Sequence, residues 1–307
     1  MPNNTHMRWQ ENEQRTVAVL IPCHNEEVCI VRVVRQFQLH LPGAHIYVFD
    51  NNSSDGTMAE AERAGALVFQ ERRQGKGYVV QSMFREIEAD IYVMVDGDGT
   101  YPAEMVEALI GPVRSGDADM LIGSRLHPMA TSEFRLLNRI GNRLSRSLLN
   151  SFFGVHLTDH LSGYRVFSKR LVRALPLLGG GFQTEAEMTI KALNRGFSVV
   201  ELPVNSVGRP LGSHSKIRIV HDGLLILRMI LTLFRDYRPL TFFGGLGLSL
   251  IILGCIPGIW VIAIYLRTGL VPYLPSAILT VGLVLTGIIL GSCWRDPAHH
   301  QPSLSRT

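Results

Sequence analysis

The chain alternates between short apolar runs and longer stretches in which apolar residues return every three or four positions. Thr16 to Ile21 is a near-continuous apolar run, the pattern of a strand buried on both faces, and a helical pattern follows through Val28, Val31, Val34 and Phe37. Further strands are predicted at Ile46 to Phe49, near Leu67 to Phe69, at Ile91 to Val95 and at Met120 to Ile122, with a helix from Gly75-Lys76-Gly77 to about Glu88. This alternation predicts an α/β domain with a mostly parallel sheet. Phe134 to Phe153 predicts an amphipathic helix, with Arg135, Arg139, Arg143 and Arg146 on one face and leucines opposite. Strand-like Val166-Phe167 follows, then a helix beginning near Gly181 and running to Asn194, and an apolar run from Val199 to Val204.

The pattern then changes. A helix from about Ile217 to Tyr237 mixes apolar residues with Arg218, Arg228 and Arg235, as an interfacial helix does. From Leu240 to Leu266, and again from Thr268 to Trp294, there is no Asp, Glu, Lys or Arg. Each tract exceeds the ~20 apolar residues that cross a bilayer, so a hairpin of two transmembrane helices is expected. The expected organisation is a disordered N-terminus (1–15), a catalytic domain (16–216), a juxtamembrane amphipathic helix (217–238), the hairpin (239–294) and a cytosolic tail (295–307).

Charge refines this picture. The formal net charge of the 307 residues is +4. Arg228, Arg235 and Arg238 precede the first tract and Arg295 follows the second, which places both termini and the catalytic domain in the cytosol, at the inner membrane of a cell. Arg267, in the short outer turn, counts the other way. Met1 to Arg15 is polar and carries no signal-peptide core. The four cysteines, Cys23, Cys29, Cys255 and Cys293, lack metal-ligand or disulfide spacing and are expected to be reduced. Gly244-Gly245-x-Gly247 in the first tract would pack helices closely, within the hairpin or in a homo-oligomer. No nucleic-acid partner is expected. No G-x-G-x-x-G follows the first strand and no G-x-x-x-x-G-K-[ST] occurs.

The candidate chemistry gathers at strand ends. Asp96-Gly97-Asp98-Gly99-Thr100 closes the apolar run of Ile91 to Val95, and in open α/β sheets ligands bind outside the carboxyl ends of the strands. Two hard oxygen donors at such a tip suit Mg²⁺ or Mn²⁺, which is commonly held by one or two carboxylates plus substrate phosphates. Glu26 follows the first strand, and Asp50 and Asp55 the second. Asp50 suits a base or ribose hydrogen bond, while Asp55 with Gly56-Thr57 equally suits a helix cap. Arg125, after the strand at 120–122, suits bidentate phosphate recognition or a surface salt bridge. Asp159, in Asp159-His160-Leu161-Ser162-Gly163-Tyr164-Arg165, is a candidate base or acceptor-orienting carboxylate, or else a cap. Glu185 serves as a site carboxylate or complements a helix dipole. Arg209-Pro210-Leu211-Gly212-Ser213-His214-Ser215-Lys216 has the composition of a phosphate-binding loop.

Pro22-x-x-Asn25-Glu26, the block Asp50-Asn51 with Ser54-Asp55-Gly56-Thr57, Gly75-Lys76-Gly77 and Asp96-x-Asp98 occur in this order over Val17 to Lys216. In these motifs the chain resembles a family 2 glycosyltransferase of the GT-A fold, in the polyprenyl-phosphate branch that includes the dolichyl-phosphate mannose synthases. The resemblance implies a Rossmann-like catalytic domain and a nucleotide pocket lined by Pro22, Asn25, Glu26, Asp50, Asp55 and Lys76. It implies a metal at Asp96 and Asp98, with Thr100 at the position where relatives often carry a further metal-site Gln. Many relatives have Asp-Asp where this chain has Asp50-Asn51. Asp159 falls on the acceptor side, and the Arg209 to Lys216 stretch resembles a loop that orders over the bound donor and acceptor. The implied reaction moves a hexose from a nucleotide-sugar donor (UDP-glucose or GDP-mannose type) to a polyprenyl-phosphate lipid, with Asp98, Asp159, Arg125, Arg209 and Lys216 as catalytic residues. The alternatives are transfer to a neutral lipid hydroxyl and a non-catalytic nucleotide-sugar-binding membrane scaffold.

Overall fold

The computed structural model describes residues 15–125, 136–176, 184–208 and 219–292. They fold as two compact units that divide between Ile230 and Leu231. The expected boundary at 216 thus falls inside the first unit, and the helix expected at 217–238 straddles the division.

The first unit is built on a seven-stranded sheet in the order β3-β2-β1-β4-β6-β5-β7. The strands are β1 (Val17–Cys23), β2 (His45–Asp50), β3 (Leu67–Gln70), β4 (Ile91–Met94), β5 (Met120–Ser124), β6 (Arg165–Ser168) and β7 (Val199–Pro203). Every strand predicted from the hydrophobic pattern is present, within about two residues. The helices of this unit are α1 (Glu27–His40), α2 (Thr57–Arg63), α3 (Lys76–Glu86), α4 (Val106–Ser115), α5 (Leu136–Phe153), α6 (Lys169–Ala174) and α7 (Thr184–Asn194), followed by α8 (Ile219–Tyr237) across the division.

Alternation along the central strands explains the layering. Val19 and Ile21 of β1 and Ile91 and Val93 of β4 face a core closed by α1, α2 and α4. Ala18 and Leu20, with Tyr92 and Met94, face a second core closed by α3, α6 and α7. Burial on both faces is why these strands read as continuous apolar runs rather than alternating ones.

Three features of topology assemble one sheet edge. The chain runs outward from β1 to β3, then returns to place β4 on the other side of β1, which makes a switch point between β1 and β4. β6 is antiparallel to both neighbours, with Arg165 opposite Met94 and Ile122. Residues 159–164, just before β6, therefore lie at the carboxyl ends of β4 and β5. β7 pairs parallel to β5 up to Ser124 opposite Pro203, and the Val207 N–H then reaches the Thr100 carbonyl at 2.9 Å.

The second unit contains α9 (Pro239–Thr268) and α10 (Leu274–Ser292), both long and apolar enough to cross a membrane. Along α9, Gly247, Ile251, Gly254, Gly258 and Val261 repeat at alternating spacings of four and three, the period of a left-handed helix pair. A Cβ on Gly247 would sit 2.5 Å from the Gly287 carbonyl, and one on Gly287 would sit 2.6 Å from the Gly247 carbonyl. Gly244 and Gly245 face open space. Of the expected glycine cluster, only Gly247 packs within the hairpin.

Candidate functional site

The tips of β1 and β2 are stitched together first. The Asn25 N–H donates to Ser53 Oγ and the Ser54 N–H to Asn25 Oδ1, with Asn25 itself at φ 52°. The Glu26 N–H donates to Thr57 Oγ1, and the Gly56 N–H to Glu27 Oε2. Asp55 accepts from the Thr57 N–H and hydroxyl through Oδ1 and from the Glu27 N–H through Oδ2. Burial raises the Asp55 carboxyl, but these hydrogen bonds outweigh it and hold the group below the ordinary range. The side chains of Asn25 and Asp55 are thus engaged in joining the two loops. Pro22 lies in the ladder opposite Phe49, and Glu26 is buried beside it.

Asp50 behaves differently. It is fully buried; Oδ2 accepts the Ser53 N–H at 2.9 Å, whereas Oδ1 has no hydrogen-bond partner among the described residues. A buried carboxylate oxygen without a donor is costly, and a ligand N–H or O–H would remove that cost.

The turn after β4 carries the metal-type carboxylates. Gly99 takes φ 70°, and its carbonyl accepts from Arg32 Nη2 of α1 at 2.9 Å. Asp98 is buried, and its Oδ1 accepts both the N–H and the hydroxyl of Thr100, at 3.0 and 2.7 Å. The Thr100 hydroxyl proton is therefore directed at Asp98. Asp96 packs so tightly on Gly163 that a Cβ there would sit 2.3 Å from Asp96 Oδ2. Lys76 Nζ lies 2.5 Å from Asp96 Oδ1 and 2.5 Å from Glu185 Oε1 of α7. Burial opposes the Lys76 charge, but the two carboxylates overcome this and raise the ammonium above its ordinary range.

Asp96 and Asp98 offer hard oxygen donors, and a divalent cation fits that donor set. Among the described residues no three His, Cys, Asp or Glu side chains converge to hold a metal by themselves. A cation here would complete its shell from substrate phosphate, as Mg²⁺ does in phosphate-transfer sites.

On the other side, Arg125 and Asp159 form one unit. Asp159 Oδ2 accepts from Arg125 Nε at 2.9 Å and from the Arg125 N–H at 3.1 Å, while Arg125 Nη2 reaches Oδ1 at 3.3 Å. The guanidinium carbon stands 5.6 Å from the centre of the Tyr101 ring. Burial would raise the Asp159 carboxyl, but the Arg125 charge outweighs it and keeps the group below its ordinary range. Burial also pushes the Tyr101 phenol up to about 12, so it stays protonated and accepts the Gly163 N–H at 2.8 Å. Glu201 of β7 holds the backbone beneath this pair, taking the Thr158 and Asp159 N–H groups at 2.7 and 2.9 Å.

The turn from Asp159 to Gly163 is organised by Arg165, the largest fully buried side chain among the described residues. It donates to the carbonyls of Ser162 and His160 at 2.8 and 2.6 Å and to Thr189 Oγ1 at 2.8 Å. Burial lowers this guanidinium to about 10, still charged at neutral pH. Burial likewise lowers His160 to about 4, and its Nε2 has no partner among the described residues.

The structure thus brings Asp50, Lys76, Asp96, Asp98, Arg125 and Asp159 to one sheet edge, with Thr100 behind Asp98. Arg209 and Lys216 lie outside the described residues. Sequence reasoning left Glu185 open between two roles; the structure pairs it with Lys76, beside Asp96. Glu201, Tyr101 and Arg32 were missed. Glu201 had a signal, a lone carboxylate in the apolar run Val199 to Val204.

Residues 18–175 match the glycosyl transferase family 2. Glycosyltransferase AglJ of Haloferax volcanii is 32% identical over 234 residues, 76% of this chain and 77% of that protein. The polyprenol monophosphomannose synthase of Mycolicibacterium smegmatis is 31% identical over 65% of this chain and 80% of its own. Among solved structures, the glucosyl-3-phosphoglycerate synthase of Mycobacterium tuberculosis in complex with Mn²⁺, UDP and phosphoglyceric acid superposes with a TM-score of 0.58. It is 22% identical, covering 73% of this chain and 78% of that one, and shares the fold.

Proposed function

The chain belongs to glycosyl transferase family 2, and from that premise we propose that it transfers a hexose from a nucleotide-sugar to a polyprenyl phosphate, inverting the anomeric carbon. One observation carries the reading: a carboxylate tip of metal-binding type, Asp96 and Asp98, occurs in a chain with two helices long and apolar enough to cross a membrane. A relative named for polyprenol monophosphomannose synthesis supports the acceptor class, and a fold neighbour holding Mn²⁺ with UDP supports the donor class.

In this reaction a phosphate oxygen of the lipid attacks the anomeric carbon as the bond to the nucleoside diphosphate breaks on the opposite face. The products are a polyprenyl-phosphate sugar and a nucleoside diphosphate. Mg²⁺ or Mn²⁺ held by Asp98 and Asp96 would supply Lewis-acid charge to the departing diphosphate. Thr100 orients Asp98 for that task. Asp50 offers Oδ1, which has no partner among the described residues, to a donor group of the nucleotide, beside Pro22, Asn25 and Glu26. Lys76 faces the diphosphate and sugar from β4's other side, shared between Asp96 and Glu185.

Arg125 holds an acceptor phosphate, and Asp159 holds Arg125. A phosphate monoester, with a second pKa of about 6, arrives largely ionised and requires positioning more than deprotonation. That matches Asp159, whose carboxylate is engaged by Arg125 and is a weak base, and it disfavours a neutral lipid hydroxyl. Arg209 and Lys216 add positive charge over both substrates. The hairpin anchors the chain in the bilayer that holds the lipid phosphate, with the catalytic unit and both termini cytosolic at the inner membrane.

A donor screen tests this. Detergent-solubilised protein is mixed with Mn²⁺ or Mg²⁺, a polyprenyl phosphate and radiolabelled nucleotide-sugars. One acid-labile glycolipid is the expected product. Slow donor hydrolysis without a lipid product would remove the acceptor assignment. No turnover and no metal-dependent nucleotide binding would remove the function.

A further inference from the structure

Asn51 sits at the end of β2, next to Asp50, and every polar group it owns is used. Its N–H donates to the Cys23 carbonyl at 2.8 Å, and its own carbonyl lies 2.8 Å from His24 Nδ1. The side chain reaches the loop between β3 and α3. Nδ2 donates to the carbonyls of Glu71 and Arg73, at 3.0 and 2.8 Å. Oδ1 accepts the Gly75 N–H at 2.7 Å and Gln74 Nε2 at 3.3 Å. Two carbonyls on one side and an N–H on the other fix which end of the amide is oxygen, and all four of its hydrogen-bonding positions are filled.

The bonded loop delivers Lys76. Gly75 takes φ 135° and ψ 137°, a backbone conformation that residues with a Cβ rarely adopt, and α3 starts at the next residue. Lys76 thus occupies the first helical position, where the helix dipole disfavours a cation. Nothing in the helix itself holds an ammonium there. Its position is defined by the two carboxylates in front of it and the Asn51 clamp behind it.

We propose that Asn51 is the positioning residue for Lys76: its amide locks the Glu71–Gly75 loop to the β2 tip and so sets the ammonium between Asp96 and Glu185. The inference rests on the reading of Lys76 as the cation facing the donor diphosphate. Asparagine is required because only an amide donates to two carbonyls while accepting from an N–H. An aspartate of the same shape would set a carboxylate oxygen against both carbonyls.

The test uses the full-length chain in detergent. Asn51→Asp and Asn51→Ala are compared with wild type by amide hydrogen exchange over residues 71–77, by melting, and by turnover. Exchange is expected to rise tenfold or more in that segment, well beyond any rise in the central strands β1 and β4, with a melting temperature lowered by no more than a few degrees. Turnover is expected to fall ten- to hundredfold, with KM for the lipid acceptor within about twofold. The losses of Asn51→Asp and Lys76→Arg should not multiply in the double variant. Unchanged exchange overturns the inference, and so do multiplying losses. Faster exchange with full turnover supports the clamp and instead removes Lys76 from the proposed mechanism.

Discussion

Asp159 closes on Arg125 through both its carboxylate oxygens and also takes the Arg125 backbone N–H. The carboxylate therefore acts on the arginine, and in the proposed reaction the arginine is the group that meets substrate. Asp159→Asn keeps an oxygen for the N–H but loses the charge that aligns the guanidinium. We expect kcat to fall ten- to hundredfold without vanishing, and Arg125→Lys, which cannot fork, to fall at least as far. Initial rates of lipid glycosylation decide it. Abolition in Asp159→Asn beside a mild Arg125→Lys would make Asp159 the base.

Lys76 is the cation of a partly buried trio. Lys76→Met leaves Asp96 and Glu185 without the ammonium between them, which should cost about 1 to 3 kcal/mol of stability and more than a hundredfold in transfer. Adding Glu185→Gln should restore most of the stability and none of the activity. Chemical denaturation and turnover on the single and double variants separate the two effects. A Lys76→Met protein as stable as wild type would show that the trio does not form in solution.

His160 gives the first unit an acid sensitivity. The unfolded imidazole takes its proton near pH 6.5 and the buried one near 4, so the unfolded chain binds more protons between these values. Stability from this group is complete above pH 6.5 and is lost as the pH falls toward 4. Between pH 7 and pH 5 the loss is about 2 kcal/mol. His160→Leu should flatten this part of the stability profile, as followed by melting at each pH. An unchanged slope would place the acid sensitivity elsewhere.

Gly247 and Gly287 make a backbone contact that no side chain fits. Gly247→Val and Gly287→Val should each destabilise the hairpin by about 1 to 3 kcal/mol. Gly244→Val, facing open space, should leave it intact. Thermal unfolding of the full chain in detergent measures the difference. Equal effects at Gly244 and Gly247 would mean that the small residues pack against something other than α10.

The strands, most helices and the two long apolar helices were legible because each is a local pattern. A strand buried on both faces must be continuously apolar, and a membrane-length tract must lack charge. The carboxylates at strand ends were legible for a related reason: the carboxyl edge of a parallel sheet is where ligands bind, whatever the rest of the fold. What the sequence alone determined, then, was the fold class and the residue types offered at that edge.

Which of those residues meet was decided only by tertiary structure. Asp55 and Asp50 look alike in sequence. Three hydrogen bonds engage Asp55, one of them across two loops, while β2 buries Asp50 with one oxygen lacking a partner among the described residues. Glu185 lies far from Lys76 along the chain, and Asp159 lies 34 residues from Arg125. The Arg125–Asp159 pair forms because β6 runs antiparallel between β4 and β5, a reversal that four residues of strand pattern cannot announce. Strand direction and order are set by which faces the helices must cover, an interaction of the whole chain, and so the partners of each charge emerge only when the sheet is complete.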